Sequence, residues 1–149
     1  MLQFRNVDAS PSDDITTWPF EALDTAIDRG LVADWQPIFA EIRRAPWGAV
    51  TRRVEHHLDH RDADGTTAIF RLAIGRARHD AEQAERAEVA RRVRRSIERS
   101  GLTSAEFARA VGTSASRLST YGTGRVVPSA AMLVRIERAA GLDPSAASR

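Results

Sequence analysis

Residues 102–128 read LTSAEFARAVGTSASRLSTYGTGRVVP, and the reading of this stretch decides the fold. Thr103 stands three residues before Glu106, the spacing at which two side chains cap a helix start reciprocally. Phe107, Ala108 and Val111 follow at helical spacing as far as Gly112. Glycine there can adopt the left-handed conformation that turns a chain sharply out of a helix. A second run begins near Ser114 and sends Leu118 and Tyr121 to one side. Gly122-Thr123-Gly124 interrupts it, and Pro128 followed by Ser129 opens another helix. The spacing predicts helices at about 87–99, 103–111, 114–121 and 129–140, punctuated by Gly101, Gly112, the glycine loop and Gly141.

Upstream of this stretch no proline occurs between Thr66 and Pro128. Ile69, Leu72, Ala73, Arg76 and Ala77 open an amphipathic helix that the sequence allows to continue to Ser100. Between about 77 and 90 its apolar residues are almost all alanine, with Glu82–Arg86 and Glu88–Arg92 spaced four apart. Such pairs support a helix by only about 0.2–0.5 kcal/mol each. The segment reads as a connecting helix between two domains, or alternatively as a helix that pairs with its copy in a dimer.

Further upstream, Pro19 suits a first helical turn, with Phe20, Leu23 and Ile27 along one face and Gly30 as a stop. Leu31, Trp35, Ile38, Phe39 and Ile42 make a second stripe, disturbed near its start by Pro37. Ala45-Pro46 breaks that run, and Trp47, Val50, Val54 and Leu58 make a third, ending in the polar cluster from Asp59 to Gly65. Residues 1–85 hold all three tryptophans and four of the five phenylalanines, so this part is expected to have its own core. Residues 1–17 are expected to be a disordered lead-in or an extended arm, and 142–149 a frayed tail.

Composition narrows the function classes. The 149 residues include no cysteine, which excludes disulfides, thiol catalysis and cysteine-ligated zinc. No run of about 18 apolar residues suits a membrane span, and the first residues lack the pattern of a secretory signal. A cytoplasmic, nucleoid-associated protein is the expectation. All 22 basic residues are arginine. Residues 1–85 carry 10 arginines against 15 acids, a balance of −5; residues 86–149 carry 12 against 5, a balance of +7. This asymmetry points to a polyanion-binding C-terminal part.

Taken jointly, Leu102-Thr103, Phe107-Ala108, Val111-Gly112, Leu118-Ser119, Tyr121, Gly124-Arg125 and Pro128-Ser129 resemble the Xre/Cro-type helix-turn-helix family of bacterial and phage repressors. The resemblance covers about residues 90–141, a third of the chain. It implies an all-α fold in which an N-terminal helical domain (18–65, for dimerisation or partner binding) is joined by a long helix (66–100) to a lambda-repressor-like helix-turn-helix domain of four to five helices (87–141). Ala108 is then small because two helices cross there, and Phe107, Val111, Leu118, Tyr121, Leu133 and Ile136 are core.

The positions left over on the second helix of the motif are those that meet DNA in related repressors. The resemblance therefore implies base contacts by Ala115, Ser116, Arg117 and Thr120. Arg117 is the leading candidate, because a guanidinium bonds guanine at two points. Phosphate contacts are expected from Ser104, Ser114, Ser119, Thr123 and Arg125. Two positions depart from the family pattern: Ser104 stands where glutamine is usual, and Gly122 where glutamate is common. The second departure removes an ion pair and is expected to loosen the loop. The family usually binds double-stranded DNA as a homodimer on near-palindromic sites.

Other motifs carry less. His56, His57 and His60 include a His-x-x-x-His pair, but His57 stands where a metalloprotease helix needs glutamate, and the cluster reads as a polar helix end. A chain without lysine has no phosphate-loop lysine, and no nucleophile triad motif occurs. No catalytic residue, metal or other cofactor is expected. The expected function is a dimeric, sequence-specific repressor. The alternative is an antitoxin, whose N-terminal part neutralises a cognate toxin protein while the C-terminal domain regulates its own operon. A third class is a DNA binder without sequence preference.

Overall fold

Proline, glycine and capping residues divide the chain into helices much as their chemistry dictates. The computed structural model describes residues 2–4 and 8–141, and every regular element among them is helical. A 3-10 turn at Ile15–Thr17 precedes α1 (Phe20–Arg29), α2 (Gln36–Arg44), α3 (Ala49–Asp59), α4 (Gly65–Ser100), α5 (Ser104–Val111), α6 (Ala115–Gly122) and α7 (Ala130–Ala139). The chain forms two compact units, Met1–Ala81 and Glu82–Arg149, and α4 supplies residues to both. No helix among the described residues is long and apolar enough to cross a membrane.

In the first unit, α1 buries Ala22, Leu23, Ala26 and Ile27. It stops at Gly30, whose backbone is extended rather than left-handed. Glycine is needed there for space: a Cβ would lie 2.3 Å from the Ala26 carbonyl oxygen and 3.2 Å from Trp35 Nε1. That indole N–H donates to the same carbonyl at 2.9 Å. The stripe expected from Leu31 is split, because α2 starts only at Gln36 with Pro37 in its first turn. A proline ring collides with the carbonyl four residues earlier, so no helix continues through it undisturbed. Trp35 is buried, while Leu31 and Val32 are exposed.

Trp35, Phe39 and Phe70 meet at ring separations of 5.3 Å and 4.9 Å, where α2 packs on the start of α4. Ile38, Ile42, Val54, Leu58, Phe70, Ile74 and Ala77 complete the core. Buried Thr51 donates its hydroxyl to the Ala45 carbonyl at 2.9 Å, which satisfies both groups. Arg78 of α4 holds Glu55 of α3 through two bonds of 2.6 and 2.9 Å and also donates to the Pro46 carbonyl at 3.1 Å. His57 places Nε2 2.9 Å from Asp28 and Nδ1 3.3 Å from Asp24, fastening α3 to α1. The ring of His56 lies against that of His60, with centroids 4.4 Å apart.

The described residues of the N-terminal arm are tied to the first unit. Leu2, Phe4 and Ile15 pack against the core, and Phe4 meets Trp18 edge-on at 4.9 Å. The polar run folds into local turns instead of fraying: the Ser10 N–H donates to Asp13, and the Thr16 N–H to Asp14. Three apolar side chains and a buried tryptophan provide the anchoring that the polar composition hides. Residues 5–7 of the arm and the expected tail at 142–149 lie outside the described residues.

The second unit is built by the later turns of α4 with α5, α6 and α7. Val93, Phe107, Ala108, Val111, Leu118, Tyr121 and Ile136 form its core, with Ile97, Met132 and Leu133 packed against them. Helix α5 packs on both α6 and α7, and Ala108 is buried among them. The expected pairing of Glu88 with Arg92 does not form. Arg92 reaches Glu137 of α7, Nε to carboxylate 2.6 Å, and Glu88 pairs with Arg91. The more buried carboxylate of a neighbouring helix competes better for an arginine than the less buried one on its own, because ion pairs weaken with exposure.

Candidate nucleic-acid interface

Local chemistry sets the first helix of the motif. The Thr103 hydroxyl oxygen accepts the Glu106 N–H at 3.3 Å, and the Glu106 carboxylate accepts the Thr103 N–H and O–H, each at 2.9 Å. The backbone bond first, then the hydroxyl bond, hold the Glu106 pKa below the ordinary glutamate value. At the far end Gly112 has φ +77° and ψ 37°, and its N–H closes α5 on the Ala108 and Arg109 carbonyls. Space is not the constraint, since the nearest atom to a Cβ would be Arg135 Nη1 at 3.6 Å. The left-handed backbone alone calls for glycine. Arg135 also donates to the Val111 carbonyl at 3.2 Å, tying α7 to the same end of α5.

Ser114 then caps α6, its Oγ accepting the Arg117 N–H at 3.1 Å. An accepting hydroxyl keeps its own proton, so Ser114 remains able to donate outward. Leu118 and Tyr121 are buried against α5 and α7, which turns the other edge of α6 to solvent. Ala115, Ser116, Arg117 and Ser119 are exposed, and Thr120 is half-buried. The Thr120 hydroxyl donates to the Arg117 carbonyl at 2.7 Å, leaving its methyl and lone pairs for a ligand. Thr123 ends the helix, donating from its N–H to the Ser119 carbonyl at 3.0 Å and from its hydroxyl to the Thr120 carbonyl at 3.2 Å. Ser104, on the first turn of α5, and Arg125, in the loop after α6, are exposed.

Four of the nine positions singled out from sequence come together. Ser104, Ala115, Ser119 and Thr123 line one depression of about 240 Å3, floored by Ile97 and Leu118 and flanked by Arg94. Ser114, Ser116, Arg117, Thr120 and Arg125 lie outside it. Sequence reasoning missed two arginines of α4 at this place. Arg94 donates to the Gly122 carbonyl, and Arg86 to the Gly124 carbonyl at 3.4 Å. The loop is therefore held by guanidinium-to-carbonyl bonds, and the Arg94 stem packs beside Gly122, where a Cβ would meet it at an ordinary contact distance of 3.6 Å. No spacing rule connects residues 28 and 38 positions apart, so a single sequence carries no sign of these bonds.

Two short helices joined through a left-handed glycine, the second showing a polar edge, define a helix-turn-helix DNA-binding unit. Residues 71–149 match the family described as "Helix-turn-helix domain", and the match takes in more than half of the chain. The protein belongs to that family. Neither the curated proteins nor the solved structures yield a match to this chain.

Proposed function

We propose that this protein is a sequence-specific transcriptional regulator of the Xre/Cro type, a cytoplasmic, nucleoid-associated repressor that acts as a homodimer on near-palindromic double-stranded DNA. The observation that carries the reading is the exposed edge of α6, where Ala115, Ser116 and Arg117 stand on its first turn. In this geometry a helix enters the major groove with its first residues against the base edges. Arg117 reads a guanine, Ser116 and Thr120 bond a base or touch a thymine methyl, and Ala115 packs on such a methyl. Ser104, Ser114, Ser119, Thr123 and Arg125 hold the flanking phosphates and set the register, Thr123 by turning its hydroxyl away from the Thr120 carbonyl. The reading assigns the chain no catalytic chemistry.

Competition binding on the DNA upstream of its own gene tests these roles. Arg117→Ala is expected to relax preference at one base position by about 1–3 kcal/mol, whereas Ser104→Ala weakens all sites alike. If both variants discriminate as the parent does, the assignments are wrong. A parent with no sequence preference would select non-specific DNA binding instead.

The first unit supplies the dimer contact in this reading. An apolar depression of about 390 Å3 lies between α2 and the first turns of α4, lined by Phe39, Ile42, Ile69, Leu72 and Ala73. Arg43, Arg76 and Asp80 stand at its rim, so the patch offers both signs of charge to a two-fold copy of itself. Leu72 is 73% exposed, which supports an interface there. The antitoxin reading places a toxin on the first unit, and the feature that favours it is the exposure of Trp47, which stands outside this depression.

A further inference from the structure

A second depression, of about 250 Å3, lies between α4 and the loop after α6, with Gln83, Arg86 and Arg94 on its α4 side. It adjoins the one that holds Ser104 and Ser119, and the two share Arg94 and Thr123. Together they make a furrow past the end of the second helix of the motif. No acidic side chain lines either depression among the described residues, although α4 carries Glu82, Glu85, Glu88 and Glu98 along the same stretch. The polar side chains that line the furrow bring two guanidiniums, a carboxamide and three hydroxyls, beside the apolar Ile97, Leu118 and three alanines.

Arg86 and Arg94 each give one N–H to a loop carbonyl, Gly124 and Gly122 respectively. A guanidinium has five N–H donors, so four remain on each side chain. Those carbonyl bonds fix the long side chains in place before any ligand arrives. Less rotamer freedom is then lost on binding than for a free surface arginine. Planar forks of this kind match phosphate oxygens.

We propose that the furrow is a track for the DNA backbone, in which Arg86 and Arg94 of α4 bind phosphates beside the hydroxyls of Ser104, Ser119 and Thr123. The proposal rests on the DNA-binding reading and extends the contact surface from the turn motif onto the long helix. The arginines contribute affinity and register without reading bases.

The experiment is a salt series on the full-length chain with a mixed-sequence duplex of about 30 base pairs, roughly three helical turns. Arg86→Gln and Arg94→Gln each remove a charge while keeping an uncharged polar side chain on α4. Each is expected to lower the slope of log K against log salt by about 0.9, the loss of one phosphate contact, and the double variant by about twice that. Preference among competing sequences stays as in the parent. Arg95→Gln and Arg99→Gln, exposed positions on the same helix that line neither depression, are expected to leave the slope unchanged. Parental slopes for Arg86→Gln and Arg94→Gln overturn the track, as does an equal loss for the Arg95 and Arg99 variants. If those slopes stay parental while Arg117→Ala alters base preference, the track alone fails. If the parent leaves the duplex unbound at low salt, the DNA-binding reading fails and the track with it.

Discussion

Glu106 caps its own turn by accepting two bonds from Thr103, and both bonds favour its ionised form. A carboxyl whose pKa is lowered by folding adds stability that is complete above its unfolded value, about 4.3. That stability is lost as pH falls through the lowered folded value. In acid melting curves of the full chain, Thr103→Ala is therefore expected to flatten the decline below about pH 4.3. A variant curve parallel to the parent's would contradict the cap. Gly112 gives a second test at this scale. With room for a methyl group but a φ of +77°, Gly112→Ala is expected to lose about 1–2 kcal/mol from backbone strain alone. Denaturant midpoints measure it, and an unchanged midpoint would mean that the turn rearranges without cost.

Helices α5, α6 and α7 were legible because each is short, capped and amphipathic, so the period of its apolar residues states both its existence and its buried face. The outward edge of α6 followed from the same information: once Leu118 and Tyr121 face inward, Ala115, Ser116, Arg117 and Ser119 must face out, and only the family resemblance makes that edge a candidate DNA contact. What sequence left hidden depends on partners far away in the chain. Phe4 is ordered by Trp18, Arg92 by Glu137, and Arg94 by the Gly122 carbonyl, none of them at a helical interval. Leu31 shows the reverse error, a correct apolar spacing cut off by Pro37. At this scale Phe107 is the decisive side chain, fully buried where α5 meets its neighbours. Phe107→Ala is expected to destabilise the C-terminal unit by about 3–5 kcal/mol, read as an earlier unfolding transition in calorimetry. A loss below about 1 kcal/mol would mean that the core collapses around the gap or is not packed as described.

For the whole molecule, the chain divides charge and apolar surface between its two ends. Arginine is concentrated in the part that carries the helix-turn-helix, and the large uncovered apolar depression lies in the other. In the proposed dimer, Leu72→Glu puts a charge into a dry contact. It is expected to shift the molecular mass measured by light scattering from two chains to one, leaving the helical content of the protein unchanged. A parent that is already monomeric at every concentration would remove the dimer from the account. Whether α6 presents its polar edge to a duplex is decided by titrating the full-length protein with its own upstream DNA at rising ionic strength. Binding is expected to saturate at low salt and to weaken steeply as salt rises, because backbone neutralisation dominates affinity. A protein that leaves the DNA unbound at the lowest salt would contradict it.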